Sequence, residues 1–145
     1  MTAIVARPTR GTDTGVMSIS FNHTIVAAHD KHASAAFLAE LFGLPDPQPF
    51  GRFMVVGLAH DASLDYADVP ADEPIRPQHY AFLVSDSDFD AIYGKIAARG
   101  LPHWADPGAQ RPGEINHRDD GRGVYFRDPG GHAMEILTRP YGSGG

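Results

Sequence analysis

Short runs of hydrophobic residues along the chain are separated by two longer stretches with helical spacing. Residues 19–28 and 78–85 are rich in β-branched, aromatic and other apolar residues, which predicts two strands. Each run leads to an aspartate suited to cap a helix, Asp30 and Asp86. The apolar residues that follow recur at i, i+3, i+4 and i+7, and both stretches end at a Gly-Leu-Pro sequence. The pattern therefore predicts two strand–helix pairs.

The second half of the chain repeats the first. Six residues separate His23 from Asp30, and six separate His79 from Asp86. Similarity at a fixed period indicates a duplicated structural unit. The alternation after each helix predicts further strands, so that each unit reads βαβββ. These strands are expected at 52–58 and 62–69 in the first unit, with room for a short strand before them, and near 101–105, 123–127 and 132–138 in the second.

One unit alone would leave a face of its sheet open to water, whereas two units that pair their sheets bury it in one core. We therefore expect an α+β fold, in which two βαβββ units form an incomplete, mostly antiparallel, barrel-like sheet with outer helices. The expected organisation is an N-terminal arm at 1–15, a single domain at 16–140 with units at about 18–70 and 76–138, and a flexible tail at 141–145.

Composition and charge narrow the function classes. With 42% hydrophobic and 21% charged residues, the 145-residue chain has ordinary globular usage. A net charge of −6 argues against nucleic acid or an anionic membrane as the main partner. No apolar run is long enough for a membrane helix, and the N-terminus does not resemble a secretory signal, so we expect a cytoplasmic protein. The absence of cysteine excludes disulfides and thiolate chemistry, and leaves eight histidines as the main chemical resource.

Strand alternation predicts which side chains meet. His79 lies on the face of its strand opposite the large apolar residues, and so does Glu135 on the last strand. The duplication places His23 at the position equivalent to His79. Two imidazoles and one carboxylate can hold Fe(II), Mn(II), Zn or Ni with coordination positions left open. Asp65, the predicted counterpart of Glu135, is either a fourth ligand or a polar residue that lines the cavity.

The paired histidines and the sequence Val-Tyr-Phe-Arg-Asp-Pro-Gly-Gly-His-Ala-Met-Glu at 124–135 resemble the vicinal oxygen chelate superfamily. This superfamily includes glyoxalase I, bleomycin- and fosfomycin-resistance proteins, and extradiol ring-cleaving dioxygenases. The resemblance covers residues 18–140. It implies that His23, His79 and Glu135 hold a divalent metal and that the protein forms a homodimer.

The spacing of His117, Tyr125 and Glu135 is similar to the extradiol dioxygenase signature. That similarity implies that His117 and Tyr125 line the active site, with His60 as an additional active-site histidine. We expect an Fe(II)-dependent dioxygenase acting on a small catechol-like substrate. A glyoxalase-like lyase or a fosfomycin-resistance-like thiol transferase, using Mn, Zn or Ni, is the alternative, and a metal-free drug-binding protein is the third. The chain departs from the commonest extradiol pattern in having one pair of units instead of two.

Overall fold

The computed structural model describes residues 18–144, so the predicted arm at 1–15 lies outside the described residues. Two successive units share one order of elements, which confirms the predicted α+β class and the βαβββ repeat. The first unit contains β1 (His23–Ala28), α1 (Lys31–Phe42), β2 (Gln48–Phe50), β3 (Phe53–Gly57) and β4 (Ser63–Asp68). The second contains β5 (His79–Leu83), α2 (Asp86–Ala98), β6 (His103–Trp104), β7 (Gly123–Arg127) and β8 (Ala133–Leu137).

The strands form two four-stranded sheets of the same topology. Sheet A has the order β1-β4-β3-β2 and sheet B the order β5-β8-β7-β6. The pairs β1–β4 and β5–β8 are parallel, and the other pairs are antiparallel. The two sheets do not pair with each other over residues 18–144, so the predicted barrel-like arrangement stays open.

The helix ends follow local capping rules. The Asp30 carboxylate accepts the N–H of Ala33 at 3.1 Å, which confirms the predicted cap of α1. The cap of α2 is Ser85, one residue before the predicted Asp86, because the Ser85 hydroxyl accepts the N–H of Asp88 at 3.1 Å. Over residues 18–144, neither helix combines the length and the apolar character needed to span a bilayer.

Each helix covers one face of a sheet with apolar side chains. Beneath α1 the cluster is Val26, Ala28, Ala35, Leu38, Val56, Leu64 and Tyr66, and beneath α2 it includes Phe89, Ile92, Ile96, Phe126, Met134 and Ile136. Phe42 at the end of α1 meets the edge of Phe82 at a centroid distance of 4.9 Å, which connects the two clusters. Burying one such side chain contributes about 1.5–3 kcal/mol. The opposite face of each sheet is left uncovered and carries His23 with Ile25 on β1 and His79 with Leu83 on β5.

β1 begins at His23, whereas the sequence predicts a strand from residue 19. The strand is limited by its partner, since β4 begins at Ser63, whose N–H donates to the carbonyl of Asn22 at 2.9 Å. Residues before this point have no β4 residue opposite them. Ile19 and Phe21 are accordingly exposed.

The turn between β7 and β8 joins the two units through His132, which is 1% exposed. Its Nδ1 accepts the N–H of Gln78 at 3.0 Å, and its Nε2–H donates to the carbonyl of Ala27 at 2.8 Å. One ring nitrogen must accept and the other must donate, which fixes a single neutral tautomer. The imidazole therefore links the start of β5 to the end of β1.

Candidate metal centre

His79 and Glu135 lie together on the face of sheet B that the helix does not cover. β5 runs parallel to β8, and Ala81 lies opposite Glu135. His79 is two residues before Ala81, so its side chain lies on the same face of the sheet as those of Ala81 and Glu135. Tyr125 on β7 lies opposite Glu135 from the other side. Glu135 is only 1% exposed, whereas the His79 side chain is 47% exposed. The pair thus combines a buried carboxylate with an imidazole that faces the open side of the sheet.

The hydrogen bonds of His79 define which nitrogen faces the carboxylate. Its Nδ1 lies 3.0 Å from the carbonyl oxygen of Ala133, and a carbonyl accepts, so Nδ1 carries the proton. Nε2 lies 3.1 Å from Oε1 of Glu135. In neutral imidazole Nε2 is a lone-pair site, and a carboxylate oxygen offers only lone pairs as well. A cation between these atoms, either a proton or a metal ion, is required for them to attract each other.

This geometry fits a divalent metal. Ligand histidines commonly donate their second N–H to a backbone carbonyl, as His79 does to Ala133. Two ligands at about 2.1 Å from one metal and at right angles lie about 3.0 Å apart, close to the separation of Nε2 and Oε1. The donor set therefore suits Fe(II), Mn(II), Zn or Ni, and does not choose among them.

A series of hydrogen bonds through two tyrosine hydroxyls leads from Glu135 to the guanidinium of Arg118. Tyr141 donates to Oε1 of Glu135 at 2.9 Å and lies 3.3 Å from Oε2. The hydroxyls of Tyr141 and Tyr125 are 3.4 Å apart, and Nη1 of Arg118 donates to the Tyr125 hydroxyl at 2.9 Å. Burial, with the nearby Tyr125 and Glu135, raises the pKa of Tyr141 well above its usual value. Tyr141 therefore stays a proton donor across the physiological range.

His23 occupies the equivalent position on sheet A. Its ring Nδ1 lies 2.6 Å from the side-chain oxygen of Asn22. Asp65 on β4 lies opposite Ile25 of β1, just as Glu135 on β8 lies opposite Ala81 of β5. The Asp65 carboxylate accepts a hydrogen bond from the Ser63 hydroxyl at 2.7 Å. A cavity of about 470 Å³ opens beside these residues; its lining includes His23, Gln48, Phe50, Phe53, Ser63 and Asp65.

One chain does not bring the three predicted ligands together. Within residues 18–144, no group of three His, Asp or Glu side chains is arranged to hold a metal ion. His79 and Glu135 form a pair on sheet B, and His23 lies on sheet A in a separate cavity. The expectation that a single chain offers all three ligands to one cavity is therefore not met. Any site that uses all three needs more than the contacts within one chain.

The two additional histidines from the extradiol similarity lie at the surface. His117 is exposed and precedes the short 3₁₀ turn Arg118–Asp120. His60 is exposed in the 3₁₀ turn Ala59–Asp61, with a left-handed φ of 61°. Asp61 of that turn accepts a bond from the Asn22 side chain at 3.4 Å, so His60 lies at the His23 end of sheet A. Among the described residues, no hydrogen bond joins His117 or His60 to Glu135.

Sequence reasoning missed Arg118 and Tyr141. The predicted loop histidine stood next to Arg118, the residue whose side chain reaches Tyr125. Tyr141 falls in the predicted flexible tail, and because β8 ends at Leu137 with bends at residues 138 and 139, strand alternation does not place its side chain. No local sequence pattern indicates either contact. In the structure, residues 141–144 lie against the turn Arg118–Asp120.

Comparison with known proteins places the chain among relatives of similar architecture. The model of the Glyoxalase/Bleomycin resistance protein/Dioxygenase superfamily matches residues 20–136. Two solved structures match over nearly the whole of their chains. Oxidase ChaP-H1 is 62% identical, with a TM-score of 0.82 and coverage of 86% of this chain and 99% of its own. Oxidase ChaP-H2 is 60% identical, with a TM-score of 0.84 and coverage of 89% and 100%.

A more distant relative has a different activity in its name. Metallothiol transferase FosB of Lysinibacillus sphaericus (strain C3-41) is 31% identical over 123 residues, which cover 82% of this chain and 82% of the relative. Chains of this architecture therefore include both oxidases and a thiol transferase. The choice between these activities depends on the site and not on the fold.

Proposed function

Because the chain belongs to the glyoxalase/bleomycin resistance protein/dioxygenase superfamily, we propose that it is a divalent-metal-dependent oxygenase acting on a small catechol-like aromatic substrate. The observation that carries the metal assignment is the contact between Nε2 of His79 and Oε1 of Glu135, with Nδ1–H fixed on Ala133. The identity of 60–62% to two proteins named oxidases supports oxygen chemistry. When bound, Fe(II) would supply open coordination positions and the redox chemistry that an oxygenase needs.

We propose that a homodimer supplies the third ligand. The uncovered faces of β1 and β5 carry exposed apolar residues beside the histidines, with Ile25 and Leu83 each 52% exposed. Apolar surface of this kind is typical of an interface. If sheet A of one copy covers sheet B of the other, the partner's His23 approaches the His79–Glu135 pair. Two-fold symmetry would then create two identical sites.

In this dimer the chain's own residues would orient the substrate. The cavity beside His23 has the aromatic walls Phe50 and Phe53, which suit a flat ring. The oxygen of Tyr125 accepts a hydrogen bond from Arg118, and its own O–H lies within reach of the Tyr141 oxygen at 3.4 Å. When substrate is bound, this O–H would turn to donate to a substrate oxygen on which charge develops. His117 and His60 remain proposed proton acceptors, since imidazole is the side chain that most often serves as a general base.

Mixing variants tests the shared site. Each of His23→Ala, His79→Ala and Glu135→Ala should lose metal when prepared alone. His23→Ala and Glu135→Ala chains are unfolded, mixed in equal amounts and refolded together. Half of the resulting dimers should contain one chain of each variant, and each of these dimers has one intact site out of two. About a quarter of the parent's metal sites should therefore be restored. The matched control mixes His79→Ala with Glu135→Ala, which lie in the same half-site and should restore none. Full metal content in the His23→Ala variant would contradict the assignment.

The reaction itself is tested by anaerobic loading with Fe(II), followed by oxygen uptake with a panel of catechols. The parent should consume oxygen. Tyr125→Phe should retain the metal and turn over on the order of 100-fold more slowly, the scale of losing a positioned acid or base. Tyr93→Phe, which removes a hydroxyl bonded to His103 elsewhere on the second unit, should match the parent.

The similarity to a metallothiol transferase favours thiol transfer as the second candidate function. It predicts a different outcome of the same assay. The Fe(II) form would consume no oxygen with any catechol, and a Zn, Ni or Mn form would join a thiol to an epoxide.

A further inference from the structure

The C-terminal segment Pro140–Gly144, here called the strap, runs back across sheet B. Its Tyr141 hydroxyl donates to Glu135. Its far end is held by the side chains of Arg139, which donates to the carbonyl of Ser143 at 3.1 Å, and of Asp119. The N–H of Gly142 donates to Oδ2 of Asp119 at 3.2 Å, and the N–H of Gly144 donates to Oδ1 at 3.3 Å. Two hydrogen bonds accepted by the Asp119 carboxylate, with the one donated by Arg139, therefore hold the strap where Tyr141 meets the proposed metal ligand.

Tyr141 does not need to leave for Glu135 to bind a metal. A carboxylate oxygen has two lone pairs. Oε1 can therefore accept the hydrogen bond from Tyr141 with one of them and present the other on the side of His79 Nε2. The bond restricts rotation of the carboxylate. Because Glu135 is buried, no bulk water can replace this donor cheaply. Partners that orient a ligand in this way typically change metal affinity by about 10–100-fold.

We propose that Tyr141 is a positioning residue for the Glu135 carboxylate, and that the strap fastened on Asp119 raises the affinity of the His79–Glu135 pair for a divalent metal. The inference rests on the proposed function, because it requires that this pair takes a metal. Coupling of this kind is reciprocal. Metal binding must therefore also strengthen the seating of the strap.

Gly144 offers a way to lift the strap without changing Tyr141 or Glu135. A methyl group at residue 144 would overlap the backbone of Asp119 at its Cα, carbonyl carbon and oxygen. Backbone cannot move aside as a side-chain tip can, so Gly144→Ala should release the far end of the strap. Tyr141→Phe instead leaves the strap in place and removes only the donated proton.

The experiment measures the dissociation constant for Co(II), from its visible absorption, in the full-length parent, Tyr141→Phe, Gly144→Ala and the control Tyr93→Phe. Both strap variants should bind Co(II) about 10–100-fold more weakly, while the thermal midpoint of the metal-free protein stays at the parent's value. Tyr93→Phe should bind as the parent does. In the parent, Co(II) should slow hydrogen exchange at the amides of Gly142 and Gly144.

Two results would overturn the proposal, and they differ from each other. If Glu135→Gln abolishes Co(II) binding but Tyr141→Phe binds as tightly as the parent or more tightly, the metal site stands and the positioning role falls. If the parent binds no Co(II), Zn, Mn(II) or Fe(II), the proposed function falls and the role of the strap falls with it.

Discussion

The two units share topology and register but surround their acidic residues differently. Asp65 on sheet A and Glu135 on sheet B hold equivalent positions, yet Glu135 is almost fully buried and Asp65 is half-buried. This difference in burial begins with the residue opposite each acid on the neighbouring antiparallel strand, β3 or β7. Val55 lies opposite Asp65, whereas Tyr125 lies opposite Glu135.

Duplication has kept the positions of these residues and not their environments. In the second unit, Tyr125 and Tyr141 cover the carboxylate, and His79 faces it at 3.1 Å. In the first unit, Asp65 bonds to the adjacent Ser63 and lines an open cavity. Sheet B therefore carries a preorganised half-site, and sheet A presents one histidine beside a pocket with both polar and aromatic walls.

Substituting the two acidic residues should separate the units most clearly, by the loss of metal affinity. Glu135→Ala should reduce metal affinity by at least about 100-fold, because losing a ligand costs more than losing a residue that orients one. Asp65→Ala should bind metal nearly as the parent does. Isothermal titration of both variants with one divalent metal measures the contrast. An equally large loss from Asp65→Ala would make Asp65 a fourth ligand and end the distinction between the units.

The next contrast concerns two corresponding turns. The β7–β8 turn contains the buried His132, and the β3–β4 turn contains the exposed His60. His132→Ala leaves the N–H of Gln78 and the carbonyl of Ala27 without their partner, so unfolding free energy should fall by about 2–3 kcal/mol. His60→Ala should change it by less than about 0.5 kcal/mol. Urea titration of the metal-free proteins checks both values, and equal losses would show that His132 does not join the units as described.

The smallest expected effect is a dependence of the unfolding free energy on pH, caused by Asp128 at the start of the β7–β8 turn. Burial raises the pKa of Asp128 above its usual value of 3.8, although backbone hydrogen bonds, including that of His132, oppose the rise. The folded state then binds more protons than the unfolded state, so this group stabilises below pH 3.8 and its contribution is lost as pH rises through the higher folded pKa.

Asp128→Asn removes that titration. Relative to the parent, the variant should gain stability as the pH of urea titrations is raised from 3.5 towards neutral. A difference that does not vary with pH, or that varies in the opposite direction, would contradict the raised pKa. The corresponding position in the first unit is Leu58, which has no titratable side chain and contributes no such dependence.

Much of the fold follows from local sequence pattern. Strand alternation, helix spacing and the repeated His-to-Asp interval predict both βαβββ units and the face on which each acid lies. The same logic selects Glu135 and Tyr125, because residues on adjacent strands of one hairpin meet wherever the register is fixed by a short turn. Boundaries are less well predicted, since the start of β1 depends on where its partner β4 begins.

Local pattern is enough to predict the duplicated topology, the family resemblance and the common face of His79 and Glu135. The surroundings of the Glu135 carboxylate, and the loop and tail residues that reach it, depend instead on how distant segments pack together. Arg118 and Tyr141 meet Tyr125 because a loop and the strap fold back onto sheet B. Periodicity describes neighbours within an element, whereas such contacts depend on how separate segments close upon one another, and no local pattern encodes that closure.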